Sequence, residues 1–169
     1  MKNNRGLSYV ELLVVIAIMA ILVGVTTLSM GLVYRTNAAK TGEKLVTSLK
    51  TARTYTLAKG SEKGAFHIRK VGSQYQCAVG DLSDDLKFEI IGNEPVEICY
   101  YFDSAGDACI PIVATTGTVT VKFDQSNGAV TSCSVGTEVP NGFKIYKDDK
   151  LVADIVLYKL TGKCEMNLE

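Results

Sequence analysis

The 169-residue chain has only 3 prolines and a single histidine, His67, and its 18 Lys and Arg are balanced by 18 Asp and Glu. Zero formal charge removes the basic surplus that would point to nucleic acid or an anionic lipid surface. There is no low-complexity tract and no run of like charge, which excludes a disordered tail or a collagen-like rod. The length amounts to one ordinary domain and excludes a long multidomain enzyme. No C-x-x-C pair occurs to suggest a zinc site, and there is no G-x-S-x-G, Walker A or dinucleotide-binding signature. A Ser-His-Asp triad needs its base beside a nucleophile and an orienting acid, and nothing in the pattern around His67 supplies them. These absences predict a protein that is not an enzyme and has neither metal nor cofactor.

Charge is also missing from one whole segment, because none occurs between Glu11 and Arg35. Residues 12 to 25 read LLVVIAIMAILVGV, and the 22 residues from Leu12 to Val33 would rise about 33 Å as a helix. That matches a hydrocarbon core of roughly 30 Å, so a membrane-spanning helix is expected. A cleaved secretory signal would need an A-x-A-like site after the apolar run, which VGVTTLSMG does not offer. Glu11 stands at the front edge of this run. An acid at the centre of a membrane helix costs about 2.5 to 3.5 kcal/mol, and a mere anchor gains nothing from it.

Beyond Val33 the pattern turns amphipathic. Tyr34, Ala38, Leu45, Leu49, Ala52 and Thr56 fall near one face at helical spacing, while Arg35, Lys40, Lys44 and Arg53 lie elsewhere. No proline interrupts residues 7 to 59, and Gly60 followed by Gly64 predicts the stop. From there short β-branched or alternating runs take over: AFHIRKV, SQYQCAV, LKFEIIG, VEICYYF, TVTVKFD, AVTSCSV, FKIYK, ADIVLYKL and KCEMNL read as strands. Gly72-Ser73, Ser126-Asn127-Gly128, Asp148-Asp149 and Thr161-Gly162 stand where hairpin turns belong, which implies an antiparallel sheet. The expected fold is α+β, with a long N-terminal helix packed by its second half on an antiparallel sheet.

The neutral total conceals a division. Residues 35 to 63 carry seven positive charges against two negative, a net of +5, and residues 64 to 169 carry nine against fifteen, a net of −6. A net-negative C-terminal part repels phosphate and argues against DNA as a partner. Within it, Asp81, Asp84 and Asp85, and then Asp103 and Asp107, form acidic groups of the kind that bind Ca²⁺, although such groups are more often solvated turns. His67 alternates with Phe66 and Ile68 inside a strand and reads as a surface or packing residue.

Before Glu11 lies a short basic leader, MKNNRG, followed by LSYVELLVVIAI. Arg5-Gly6, the apolar Leu7 and Glu11 four positions further on resemble the prepilin signal of type IV pilins and type II secretion pseudopilins. The resemblance implies cleavage between Gly6 and Leu7 by a membrane prepilin peptidase, N-methylation of the new N-terminus at Leu7, and a role for Glu11 in filament assembly. Leu7 stands where the family more often has Phe, and Leu28 where many major pilins have a kinking Pro. The two leader cations face at least five within about 20 residues beyond the apolar run, which taken alone favours the opposite orientation.

More loosely, EKLVTSLKTARTYTLAKG, VKFDQSNGAV and LYKLTGKCEM are similar to minor pseudopilins of the H type and their type IV fimbrial T relatives. The resemblance implies a leader at 1–6, a transmembrane and filament-core helix at 7–33, an amphipathic helix at 34–59 and a β-rich head at 60–169. It implies a single-pass cytoplasmic membrane protein with an exported head, which then joins other pilin or pseudopilin subunits in a cell-surface or periplasmic filament. The alternatives are an adhesion or DNA-uptake pilin, or an uncleaved membrane-anchored protein of other function. In an exported head, Cys77, Cys99, Cys109, Cys133 and Cys164 allow one or two disulfides with at least one thiol left over. The pairing stays open, as does the alternative that all five are small buried hydrophobes.

Overall fold

In the computed structural model of the chain, the structure describes residues 9–82, 85–102, 108–135 and 138–169, with side chains described except at 25–35. The first element, α1, runs Tyr9–Lys59. It ends where the Gly60 N–H donates to the Thr56 carbonyl at 2.9 Å. The chain divides into two compact units, Met1–Thr36 and Asn37–Glu169.

In the second unit, α1 is followed by ten strands among the described residues. β1 (Phe66–Val71), β2 (Gln74–Val79), β3 (Glu89–Asn93), β6 (Val119–Phe123) and β7 (Val130–Cys133) form one antiparallel sheet in the order β3-β2-β1-β6-β7. β4 (Val96–Tyr101), β5 (Cys109–Pro111), β8 (Gly142–Lys147), β9 (Lys150–Tyr158) and β10 (Lys163–Leu168) form the other, in the order β10-β9-β8-β4-β5. The fold is α+β and its sheets are antiparallel, but there are two sheets and not one. The chain passes from the first sheet to the second after β3, back after β5, and over again after β7. Those crossings create the pairs β1 with β6 and β4 with β8, which no hairpin turn announces.

From Asn37 onward α1 serves both sheets. Ala38, Thr41, Gly42, Leu45, Leu49, Ala52 and Thr56 are buried, a stripe at steps of three and four residues that turns one helix face inward. On one flank the Thr41 hydroxyl donates to the Ile91 carbonyl at 3.1 Å and Lys44 Nζ to the Ile90 carbonyl at 3.1 Å, both on β3. On the other flank Gly42 faces Met166, Ile145 and Ala153 of the second sheet. The sheets meet directly, Phe66 of β1 standing edge-on to Phe143 of β8 at 6.3 Å between ring centroids. One apolar cluster contains residues of α1 and of both sheets.

Candidate functional site: the N-terminal segment

Gly6 and Leu7, where cleavage and methylation are expected, lie outside the described residues. Glu11 lies in the first turn of α1. An acid there is favoured by the helix macrodipole, by about 0.3 to 1 kcal/mol. Every residue from Tyr9 to Gly24 is exposed, including Ile16 at 55% and Met19 at 62%. A helix that is apolar on all sides has no face of its own to turn to water. Its surface fits lipid or other apolar helices. Among the described residues no helix is long and apolar enough to cross a membrane. The expected span, 7–33, lies in part outside them.

The sequence of this segment carries the comparison that bears on function. Residues 1–27 match the family described as the prokaryotic N-terminal methylation motif. The chain carries a prepilin-type signal. That signal is the one type IV pilins and pseudopilins bear, and here it covers the leader, Glu11 and most of the apolar run. No curated protein and no solved structure matches the chain.

The remaining candidate residues lie in the second unit. His67 is buried between two partners: its Nε2–H donates to the Gly80 carbonyl at 2.8 Å, and its Nδ1 is 2.9 Å from the Thr120 hydroxyl. This is a neutral ring packed in place, and burial is the main reason that its pKa is lowered. Cys99 and Cys109 form a disulfide joining β4 to β5, while Cys77, Cys133 and Cys164 are free. Cys77 Sγ lies 3.3 Å from the Ser48 hydroxyl of α1, and the Cys164 thiol faces the Val46 carbonyl at 3.8 Å. Burial pushes all three free thiols up, which favours the thiol over the thiolate.

Asp84, Asp103 and Asp107 of the acidic groups lie outside the described residues. Asp81 and Asp85 share a groove with Lys59, Lys63 and Lys87. Among the described residues no three His, Cys, Asp or Glu side chains are grouped to hold a metal ion.

One junction draws together the three motifs of the second unit that the resemblance picked out. Arg53 Nε near the helix end donates to the Thr161 carbonyl in the β9–β10 turn at 2.8 Å. Gly162 in that turn has φ +61°, and a Cβ there would overlap the Gly128 carbonyl of the β6–β7 turn. A Cβ on Gly128 would meet Arg53 Nε at 2.7 Å. Helix, first sheet and second sheet are locked at this point. The signal lay in the sequence as three separate glycine or arginine motifs, with nothing to say that they touch.

Proposed function

We propose that the chain is a structural filament subunit, a minor pilin or pseudopilin, and not an enzyme. One observation carries this reading: a prepilin-type signal at residues 1–27 opens directly into a helix whose apolar side chains are exposed on every side. Prepilin peptidase removes residues 1–6 at the cytoplasmic face of the membrane, and the new N-terminus at Leu7 is methylated. The helix holds the protein in the membrane with its β-rich part exported until other pilin subunits replace lipid around the helix. A periplasmic or cell-surface destination fits a disulfide between Cys99 and Cys109, since such bonds persist in oxidising compartments.

Glu11 has a distinct part in this reading. A carboxylate entering an apolar filament core needs a partner, because an unpaired buried charge costs several kcal/mol. Cleavage creates one, the α-amino group at Leu7 of an adjacent subunit, and the pair sets the axial register between copies. Intact-mass analysis of the membrane-extracted protein tests the processing step. A mature N-terminus at Leu7 is expected, and a bulky residue in place of Gly6 leaves the leader attached. Wild-type protein that retains Met1 beside an active prepilin peptidase overturns the reading. Glu11→Ala is expected to be inserted and cleaved but to be depleted from sheared filament fractions relative to total membrane protein.

A further inference from the structure

Along the second sheet Tyr100, Phe143, Ile155 and Leu157 turn inward and are buried, which puts Tyr101, Gly142, Val156 and Tyr158 on the outward face. Gly142 stands opposite Tyr101 on β4 and Val156 on β9. A Cβ on Gly142 would come within 2.8 Å of Tyr101 Oη, so the tyrosine lies across the space that the glycine leaves. Its hydroxyl reaches on to β9 and donates to Asp154 Oδ1 at 3.3 Å. The hydroxyl of Tyr158, 46% exposed, donates to Glu165 Oε2 on β10 at 3.1 Å. Each ring is thus held by a carboxylate, which lowers the ordering cost that a ligand would meet. With Val156, Lys159 and Leu160 the two rings line an open groove of about 470 Å³, inside the range of roughly 300 to 1,000 Å³ typical of small-ligand sites.

The chemistry of the groove selects its occupant. Charges of both signs surround the rings: Lys144 stands in register with Asp154, and Lys163 pairs with Glu165. Charges that offset one another do not concentrate an ion of either sign. A ligand cation at Tyr101 would also meet Lys144, whose Nζ is already 4.9 Å from the ring centroid. An acyl chain would strip water from Asp154 and Glu165 and give them no donor in return. A pyranose ring meets all of these conditions. Its C–H face packs on the electron-rich face of a tyrosine, and the hydroxyls at its rim donate to lone pairs that the carboxylates keep after accepting from the tyrosines. We infer that this groove binds a neutral pyranose unit of an oligosaccharide, with Tyr101 and Tyr158 as stacking rings and Asp154 and Glu165 as hydroxyl acceptors. The site is on the face of the sheet turned away from α1, and it rests on nothing in the filament reading.

The test uses the full chain in a zwitterionic detergent without a sugar headgroup, titrated with neutral oligomers of glucose, galactose and N-acetylglucosamine. At least one is expected to bind with a Kd of about 0.1 to 1 mM, as suits a shallow site with few anchors. Saturation-transfer nuclear magnetic resonance is expected to mark the C–H protons of one sugar face more strongly than the rest. Tyr158→Ala and Tyr101→Ala are each expected to weaken binding about tenfold, the loss of an aromatic anchor, with thermal unfolding showing that the fold is kept. Tyr158→Phe, which retains the ring, is expected to retain most of the affinity. Raising salt from roughly 0.05 M to 0.5 M, which shortens the screening length severalfold, is expected to leave the binding of a neutral sugar unchanged.

No binding of any of the three series up to about 10 mM, a level at which even a weak site would fill, overturns the inference. So does a Tyr158→Ala chain that binds like wild type. Binding lost with Leu160→Ser but kept with Tyr158→Ala would assign the groove to an apolar ligand instead, and binding abolished by salt would assign it to a charged one. Either result overturns the pyranose site. All of these readings are made on solubilised chain, so their failure leaves the filament role standing. A chain that binds sugar but never enters filaments overturns that role alone.

Discussion

The two ends of α1 are both rich in apolar side chains, and the structure treats them in opposite ways. Ile16 and Met19 are more than half exposed, whereas Leu45 and Leu49 are 0% and 1% exposed. The difference lies in what shares the helix with them. After Asn37 the apolar residues occupy one stripe and charged residues the rest, so a single face can be buried on the two sheets. Between Leu12 and Gly24 no charge breaks the surface, and no single face could satisfy it. Burial of the second half is therefore a matter of this chain's fold, and burial of the first half, in the proposed reading, is a matter of surroundings.

Substitution at matched positions gives that comparison its sharpest test. Leu49→Ala is expected to destabilise the β-rich unit by roughly 3 to 5 kcal/mol, the transfer and cavity cost of a fully buried leucine. Ile16→Ala is expected to leave its unfolding unchanged and to act only on membrane extraction or filament recovery. Denaturant unfolding followed by far-ultraviolet circular dichroism measures both. Equal loss from the two substitutions would show that residues before Asn37 belong to the core of the β-rich unit.

The disulfide extends the comparison from the helix to the sheets. Most strands are held by ladders on both sides or by burial, but β5 is three residues long, ends in Pro111 and pairs only with β4. The Cys99–Cys109 bond closes a loop of 10 residues, and removing such a constraint costs about 2 to 3 kcal/mol in the chain-entropy account. Replacing both cysteines by Ser is expected to lower stability by that amount, and reductant to change wild type but not the variant. A single Cys99→Ala is expected to leave the helix content intact, because the bond ties β4 to β5 and not to α1.

A smaller effect is expected where helix and turns lock together. Arg53→Ala removes a hydrogen bond from a charged donor, worth about 1.5 to 3 kcal/mol at most and less at a partly exposed site. Gly162→Ala disturbs the same junction by placing a Cβ on the Gly128 carbonyl. The two losses are expected to be less than additive when combined, since both act through one contact. Full additivity in thermal unfolding would mean that the turns are held independently of Arg53.

Much of this architecture was legible, for local reasons. The helical stripe from Ala38 to Thr56 and the stop at Gly60 are written in spacing and in a single residue. So are the four hairpin turns, because Asp148 and Asp149, with φ of 50° and 60°, are of the few residue types that accept that backbone. What stayed hidden was non-local. The division into two sheets depends on β1 pairing with β6 and β4 with β8, across more than forty residues in each case. β5 is too short to show a period, and it is fixed by a bond whose partner sequence alone left open. The alternation around His67 misleads because Phe66, His67 and Ile68 are all buried, so both faces of β1 are covered. In the N-terminal segment the order is reversed: the signal is read from sequence, and Gly6 and Leu7 lie outside the described structure.

The smallest effect concerns His67, and its sign follows from its burial. In the folded chain its pKa lies below the ordinary value of about 6.5, chiefly because burial disfavours the charged ring. As pH falls through 6.5 the unfolded chain takes up a proton that the folded chain resists, so unfolding is favoured. The contribution is fully present above pH 6.5 and is lost as pH falls through the lowered folded value. Few other groups titrate in that interval, since carboxylates lie lower. Stability is therefore expected to decline between pH 7 and 5.5 in wild type, while His67→Gln, which keeps a donor and an acceptor but no titrating ring, shows a flatter profile from a lower starting point. Parallel slopes in the two proteins, measured by denaturant midpoints across that range, would mean that the ring protonates as readily in the folded chain as in the unfolded one. Burial would then not be holding it neutral.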